Sequence, residues 1–192
     1  MCLIKGDRIK IRKLEIEDVF NMSKWENYKN PLFFDYNFPE LNREDMERWF
    51  KVKTGKRNKE CYGILNHNNN TMGYLTIKDI KRFRKHATLG IVFSARYVNM
   101  NYGTEAINLF LDYYFNKLNM KVMYLNVAKF NKRAIRCYEK CGFVKVDEYV
   151  EKFDNQNIDI HNNNIYISNK GDFIIENNLL YIKYNVMRKI KY

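Results

Sequence analysis

The chain predicts an α+β domain, one mixed sheet with helices on both faces, and three patterns carry that expectation. Apolar and polar residues alternate in short runs from Arg8 to Phe93, the signature of half-buried strands. Ile107, Phe110, Leu111, Tyr114 and Leu118 recur at the helical period. Beyond that stripe, strand and helix alternate to a closing strand near the C-terminus. The 192 residues suit a single domain, since a chain of this size buries roughly 70% of its unfolded surface.

The elements follow in order. Ile9 and Ile11 alternate with Arg8, Lys10 and Arg12 and predict a strand over Arg8–Leu14. Glu15, Glu17 and Asp18 favour the start of a helix over Glu17–Tyr28 by meeting its positive end. Pro31 and Pro39 exclude a long helix between them, where the aromatic string Phe33, Phe34, Tyr36 and Phe38 lies. Asn42 caps a predicted helix over Arg43–Lys53. Cys61–Leu65 and Thr71–Asp79, joined by the turn Asn68–Asn70, read as a hairpin, and Ala87–Phe93 as another strand. Then come a helix over Thr104–Leu118, a strand over Val122–Ala128 and a helix over Lys132–Lys140. Asn131 caps the latter and Gly142 stops it. Phe143–Val150 resumes as strand, and Leu179–Met187 closes the sheet. Between them Asp154–Asn178 is rich in asparagine, with Ile158, Ile160, Ile165 and Ile167 suggesting weak strand pieces.

Composition excludes several classes. No apolar run approaches the ~20 residues of a membrane span, so a cytoplasmic location is expected. Four cysteines (Cys2, Cys61, Cys137, Cys141) do not make a disulfide framework in so long a chain, and with three scattered histidines no metal-ligand set forms. Cys137 and Cys141, one helical turn apart, read as buried thiols. The net charge of +12, from 34 basic and 22 acidic residues, predicts affinity for anions without naming them. Lys78, Lys81, Arg82, Arg84 and Lys85 form a basic run that reads as a solvated hairpin turn more readily than as a nucleic-acid patch.

The informative block runs from Thr88 to Phe143. A strand, LGIVF, enters the loop SARYVNMN, and a helix opens on Tyr102-Gly103-Thr104-Glu105-Ala106. Unpaired N–H groups at a helix start make an anion site, and Gly103 permits close approach. After the strand containing Asn126 comes a second block, in which Asn131, Ala134, Tyr138, Lys140, Gly142 and Phe143 keep a fixed spacing. In these two blocks the sequence resembles the GNAT superfamily of N-acetyltransferases, well over Gly73–Val150 and weakly over Arg8–Phe50.

The resemblance implies the acyl-CoA N-acyltransferase fold, a three-layer arrangement about a largely antiparallel sheet. It implies one domain over 1–192, with an acetyl-CoA-binding block at about 86–150 and a variable segment at 153–178. It also implies acetyl transfer from acetyl-CoA to a primary amine, without metal. A strand splayed from its neighbour would hold the pantetheine arm through the backbone of Ile91, Val92 and Phe93. The loop Val98, Asn99, Met100, Asn101, Tyr102 and Gly103, with Thr104, would wrap the pyrophosphate, flanked by Arg96, Lys132, Arg133 and Arg136. Asn126 and Asn131 would join the cofactor site, with Asn131 on the pantetheine arm. Tyr138 would stand beside the thioester sulfur as general acid, and its alternative reading is a core tyrosine. Val98 and Asn101 replace a glutamine or arginine and a glycine of the family loop, and asparagine tolerates the left-handed backbone such a turn needs.

The acceptor half stays open. Thr88 stands where relatives often carry a glutamate base; His86, Asp79, Glu148 and a water relay are the alternatives. The acceptor is a protein N-terminus, as in the ribosomal-protein acetylating branch that the Trp25–Phe50 and Gly73–Phe93 pattern most resembles, or an amino group on an anionic sugar nucleotide. A polyamine is less attractive to a basic chain, because a polycation prefers an acidic pocket. The non-enzymatic alternative is a basic domain binding acyl-CoA or nucleic acid. The 153–178 segment shapes the acceptor site, makes a homodimer contact, or is a disordered insertion.

Overall fold

A computed structural model describes residues 4–191; Cys2 lies outside the described residues. Nine strands form one sheet: β1 (Ile4–Lys5), β2 (Ile9–Lys13), β3 (Glu60–Asn66), β4 (Thr71–Lys81), β5 (His86–Phe93), β6 (Val122–Ala128), β7 (Val144–Lys152), β8 (Phe173–Glu176) and β9 (Leu179–Ile190). Their order is β1-β2-β3-β4-β5-β6-β9-β7, with β8 also on β9. Every pairing is antiparallel except β5 with β6. The expected fold class is therefore the observed one.

The helices are α1 (Ile16–Met22), α2 (Arg43–Thr54), α3 (Tyr102–Asp112), α4 (Lys132–Lys140) and α5 (Asn164–Ser168). α1 and α2 pack on β3 and β4 through Val19, Met22, Trp49 and Phe50. Ala106, Ile107 and Phe110 of α3 and the inner face of α4 close the main core against the central strands. Buried Asp18 fastens α1: its carboxylate takes the Arg12 guanidinium at 2.6 Å, the Thr71 hydroxyl at 2.8 Å and the Glu15 N–H at 2.8 Å. Such full pairing is what makes a buried charge tolerable.

Three elements depart from the sequence expectation. α1 stops at Met22 rather than Tyr28, because Trp25 leaves the helix axis to donate its indole N–H to Thr71 and stack on Tyr74. α3 begins at Tyr102 and ends in a π-helical turn over Tyr113–Lys117, where the buried Tyr114 phenol donates to the Val122 carbonyl at 2.8 Å. The 153–178 segment is packed rather than extended. Ile158, Ile160, Ile165 and Ile167 do not make the expected strand pieces: 164–168 is helical, Ile160 and Phe173 bury with Phe130 and Phe153, and the strand of the segment is β8, which adds Ile174 and Ile175 to β9. The Asn30–Asn163 amide pair and the Lys132–Asp172 ion pair tie this segment to the aromatic loop and to α4.

Candidate active site

β5 carries the site because it changes partner along its length. His86–Leu89 pair with Val122–Leu125 of β6, but from Asn126 onward β6 pairs only with β9. Gly90–Phe93 keep their β4 partners and lose those on the β6 side. A V-shaped opening results, with backbone donors and acceptors of β5 exposed along one edge. An extended chain bearing amides can pair there as an added strand.

The opening leads into a cleft of about 280 Å³ whose floor and walls come from β5, α3, α4 and the aromatic loop. At one end lies the start of α3. Asn99 and Asn101 are left-handed, with φ of 64° and 62°, and Asn101 is the helix N-cap. This is the conformation the family loop gives to glycine, and asparagine adopts it at modest cost. No side chain caps α3, so its first N–H groups face the cleft with the positive end of the helix dipole. A Cβ on Gly103 would stand 3.4 Å from the Cys137 sulfur, so α3 and α4 approach closely here. α4 has no acid in its first turn and adds Arg133, Arg136 and Lys140 to the cleft wall. Together these groups suit a pyrophosphate.

The cleft brings together Ile91, Val92, Phe93, Val98, Asn99, Asn101, Gly103, Thr104, Asn131 and Tyr138. Three residues of the expected set lie outside it. Met100 is exposed and offers its carbonyl to Arg8 at 3.1 Å; Tyr102 turns to the surface beneath the Arg8 guanidinium; Asn126 stands on β6 toward Tyr149. Among the flanking cations, Lys132 is held by Asp172 at 2.5 Å, and Arg96 lies over the Tyr97 ring. Sequence reasoning passed over Tyr28 as a site residue, left Tyr36 within an aromatic string, and read Cys137 as a core thiol. Tyr28 donates to the Phe93 carbonyl at 3.1 Å, while Cys137 lies 3.3 Å from the Thr104 hydroxyl. Position eight residues before Tyr36 gave no motif signal for Tyr28; only the fold brings it to β5.

Tyr138 projects from α4 with its ring edge-on to Phe143. Burial pushes its phenol far above the ordinary tyrosine range, reinforced by Tyr36 and the two cysteines and opposed by Arg133. The phenol therefore holds its proton at neutral pH. Tyr36 is likewise raised by burial and bonds to Asn131, whose own carbonyl oxygen caps α4 at the Ala134 N–H, 3.2 Å away. Cys137 is drawn down, first by its hydrogen bond to Cys141 and, against burial, by Thr104.

None of the base alternatives lies in the cleft lining. Asp79 and His86 sit at the far ends of β4 and β5, Thr88 pairs within the sheet with Lys78 and Tyr124, and Glu148 is exposed on β7 beside Lys145. Outside the lining residues, three carboxylates (Asp35, Asp154 and Glu151) lie within electrostatic reach of the aromatic loop and Tyr184. The Asp35 carboxyl is raised above the usual range, first by desolvation and then by Asp154, and Tyr184 feels Tyr36, Glu151 and Asp35.

The family model of the acetyltransferase (GNAT) domain matches residues 8–144. Spermidine N(1)-acetyltransferase of Vibrio cholerae serotype O1 is 25% identical over 148 residues, 77% of this chain and 86% of that one. The enzyme of that name from Escherichia coli K12 is 28% identical over 157 residues, 76% and 77% of the two chains. Among solved structures, the Vibrio cholerae spermidine N-acetyltransferase in complex with CoA and spermine superposes with a TM-score of 0.70 at 21% identity, covering 96% of each chain. A dodecameric form of that enzyme gives 0.67 at 20% identity, covering 96% of this chain and 95% of that one. These relatives replace the ribosomal-protein branch that the aromatic and hairpin patterns suggested. No described helix is long and apolar enough to cross a membrane, and no described group of side chains could hold a metal ion. The splayed strand, the loop before α3 and the matched domain agree: the chain belongs to the GNAT acetyltransferase family and is an acetyl-CoA-dependent N-acetyltransferase.

Proposed function

We propose that the acceptor is a small aliphatic polyamine of the spermidine class, and the observation that carries this reading is that the carboxylates Asp35, Asp154 and Glu151 lie in electrostatic reach of Tyr36, a wall of the cleft, and of Tyr184. The sequence argument against a polycation rested on the whole-chain charge. At physiological salt charges are screened over about 8 Å, so an acceptor at the cleft feels its rim rather than the total. Desolvation and, after it, the charge of Asp154 raise Asp35, and an arriving ammonium offsets both. Tyr36 and Tyr184 beside them offer ring faces and hydroxyls to a methylene chain that ends in a cation. The spermidine acetyltransferase relatives support the same acceptor class.

The remaining roles follow from placement. Gly90–Phe93 hold the pantetheine arm through the free β5 edge; the α3 N-terminus, Arg133 and Arg136 hold the pyrophosphate; Asn131 and Tyr36 line the path between them. When bound, acetyl-CoA supplies an acyl group already activated toward an amine. The carboxylates steer one ammonium to the rim and leave another amine to reach the thioester carbon. Tyr138 holds its proton until negative charge develops on the departing sulfur and then delivers it there, with Arg133 beside it to offset the phenolate that burial disfavours. With no carboxylate or imidazole among the described cleft residues, the amine gives its proton to water.

Thiol release from acetyl-CoA, measured with spermidine, spermine, an N-terminal peptide and an amino-sugar nucleotide, tests this reading. Polyamines are expected to exceed the others in kcat/KM by at least about 10-fold, the effect of roughly 1.4 kcal/mol of differential binding. A peptide or sugar nucleotide ahead of spermidine would overturn it.

A further inference from the structure

The hairpin between β4 and β5 ends in the turn Arg82–Lys85, and at its tip the Phe83 side chain is 100% exposed. An entire phenyl ring in water is costly, since burying such a side chain is worth about 2 kcal/mol or more. Its sequence neighbours are all cations: Lys81, Arg82, Arg84 and Lys85. Of these four, only Arg82 has an acidic partner among the described residues, Glu60 at 3.0 Å.

The tip is the crest of a wider basic face. The exit of α2, residues 51–59, carries five cations and no acid. It is joined to β4 by the Ile80 N–H donating to the Asn58 carbonyl at 3.1 Å. Lys53 and Lys59 are held below the usual lysine range, first by burial and then by neighbouring cations, Lys78 among them for both. On the other flank the Lys85 carbonyl accepts from Lys121, whose own carbonyl accepts from Lys191. The hairpin tip lies beyond the end of β5 opposite Phe93 of the cleft, and the strand between them is roughly 23 Å long at ~3.3 Å per residue. Acetyl-CoA binding therefore leaves this charge unused.

We propose that this face binds single-stranded nucleic acid, with Phe83 as a stacking platform for a base and the surrounding cations on the phosphates. A single-stranded chain presents both things the tip lacks, a flat apolar face and a closely spaced row of anions. Arg82 and Arg84 add planar forks that fit phosphate oxygens. A membrane surface fits less well, because stable attachment needs more apolar area than one ring provides. A duplex keeps its bases stacked and gives Phe83 nothing to cover.

The test uses the full chain and a labelled single-stranded RNA of about 16 nucleotides, followed by fluorescence anisotropy from about 50 to 200 mM salt. Binding is expected to weaken with a log–log slope near −3, the value for about four phosphate contacts on a single strand. Phe83→Ala should weaken single-strand binding by about 5- to 100-fold while changing duplex binding little. The double variant Arg82→Glu, Arg84→Glu should weaken both at least about 10-fold, and neither change should alter acetyl transfer. The proposal fails if no RNA is bound at the lowest salt, or if Phe83→Ala leaves single-strand affinity unchanged. It fails equally if the protein takes up anionic phosphatidylserine vesicles but not RNA, or if light scattering shows Phe83→Ala dissociating an oligomer that buries the ring.

Discussion

The donor and acceptor sides of the cleft are built in opposite ways. The donor side comes from one continuous stretch of chain, β5 through α4, and what it offers a cofactor is largely backbone, the β5 edge and the α3 N-terminus. The proposed acceptor side draws on side chains of two distant segments, the aromatic loop at 31–36 and the stretch at 151–154; the Phe33–Phe130 contact and the Asn30–Asn163 pair hold that loop against the C-terminal half. A site made of backbone tolerates much sequence change; a site made of side chains is rewritten by a few substitutions. The difference teaches why one reaction half is shared across a family while the other is particular to a chain.

The comparison breaks most sharply at Tyr138. Tyr138→Phe keeps the ring against Phe143 and removes only the hydroxyl, so turnover should fall by roughly 10²-fold with cofactor affinity nearly unchanged. Steady-state kinetics beside a direct acetyl-CoA titration checks both halves. Unaltered turnover would return Tyr138 to the core. Next comes the acceptor rim, where Asp35→Asn combined with Asp154→Asn should raise KM for spermidine by about 10-fold or more, with kcat little changed and a monoamine less affected. Arg133→Ala acts on the donor side, with an expected loss of about 5- to 10-fold in acetyl-CoA affinity that shrinks at high salt.

Two weaker effects separate the regions by pH and by stability. Asp35 is raised, so it takes up a proton above the ordinary carboxylate range; KM for the polyamine should rise as pH falls through that point, and Asp35→Asn should flatten the rise. Tyr36 and Tyr138 are raised in the folded protein, so stability is intact below the ordinary phenol value of about 10 and is lost as pH climbs above it. Thermal melts across the alkaline range should show that decline. Smallest is Asn101→Ala, expected to cost about 1 kcal/mol through its left-handed backbone, against a near-neutral Asn101→Gly.

What the sequence disclosed follows the same division. Gly103, Thr104 and Asn131 stand at a helix start and a cap, which local pattern marks, whereas Tyr138 was placed by the resemblance of its block. Asn101 could be read as a glycine substitute because its backbone requirement is local too. Tyr28 carries no such mark, since it reaches the cleft only through tertiary packing, and the chain's total of +12 hid the carboxylates that Asp35 and Asp154 place in each other's field. The helix over Glu17–Tyr28 failed for a related reason, since the indole of Trp25 bonds to a strand that lies far along the chain.

The gap beside Gly90–Phe93 makes the sheet incomplete until a ligand fills it. Ligand that binds only the folded chain stabilises it by RT ln(1 + [L]/Kd), about 2.7 kcal/mol at a hundredfold excess over Kd. The lifetime of this protein against unfolding and proteolysis should therefore follow the supply of acetyl-CoA. The open edge of β5 should thus tie the abundance of the enzyme to the supply of its own acyl donor.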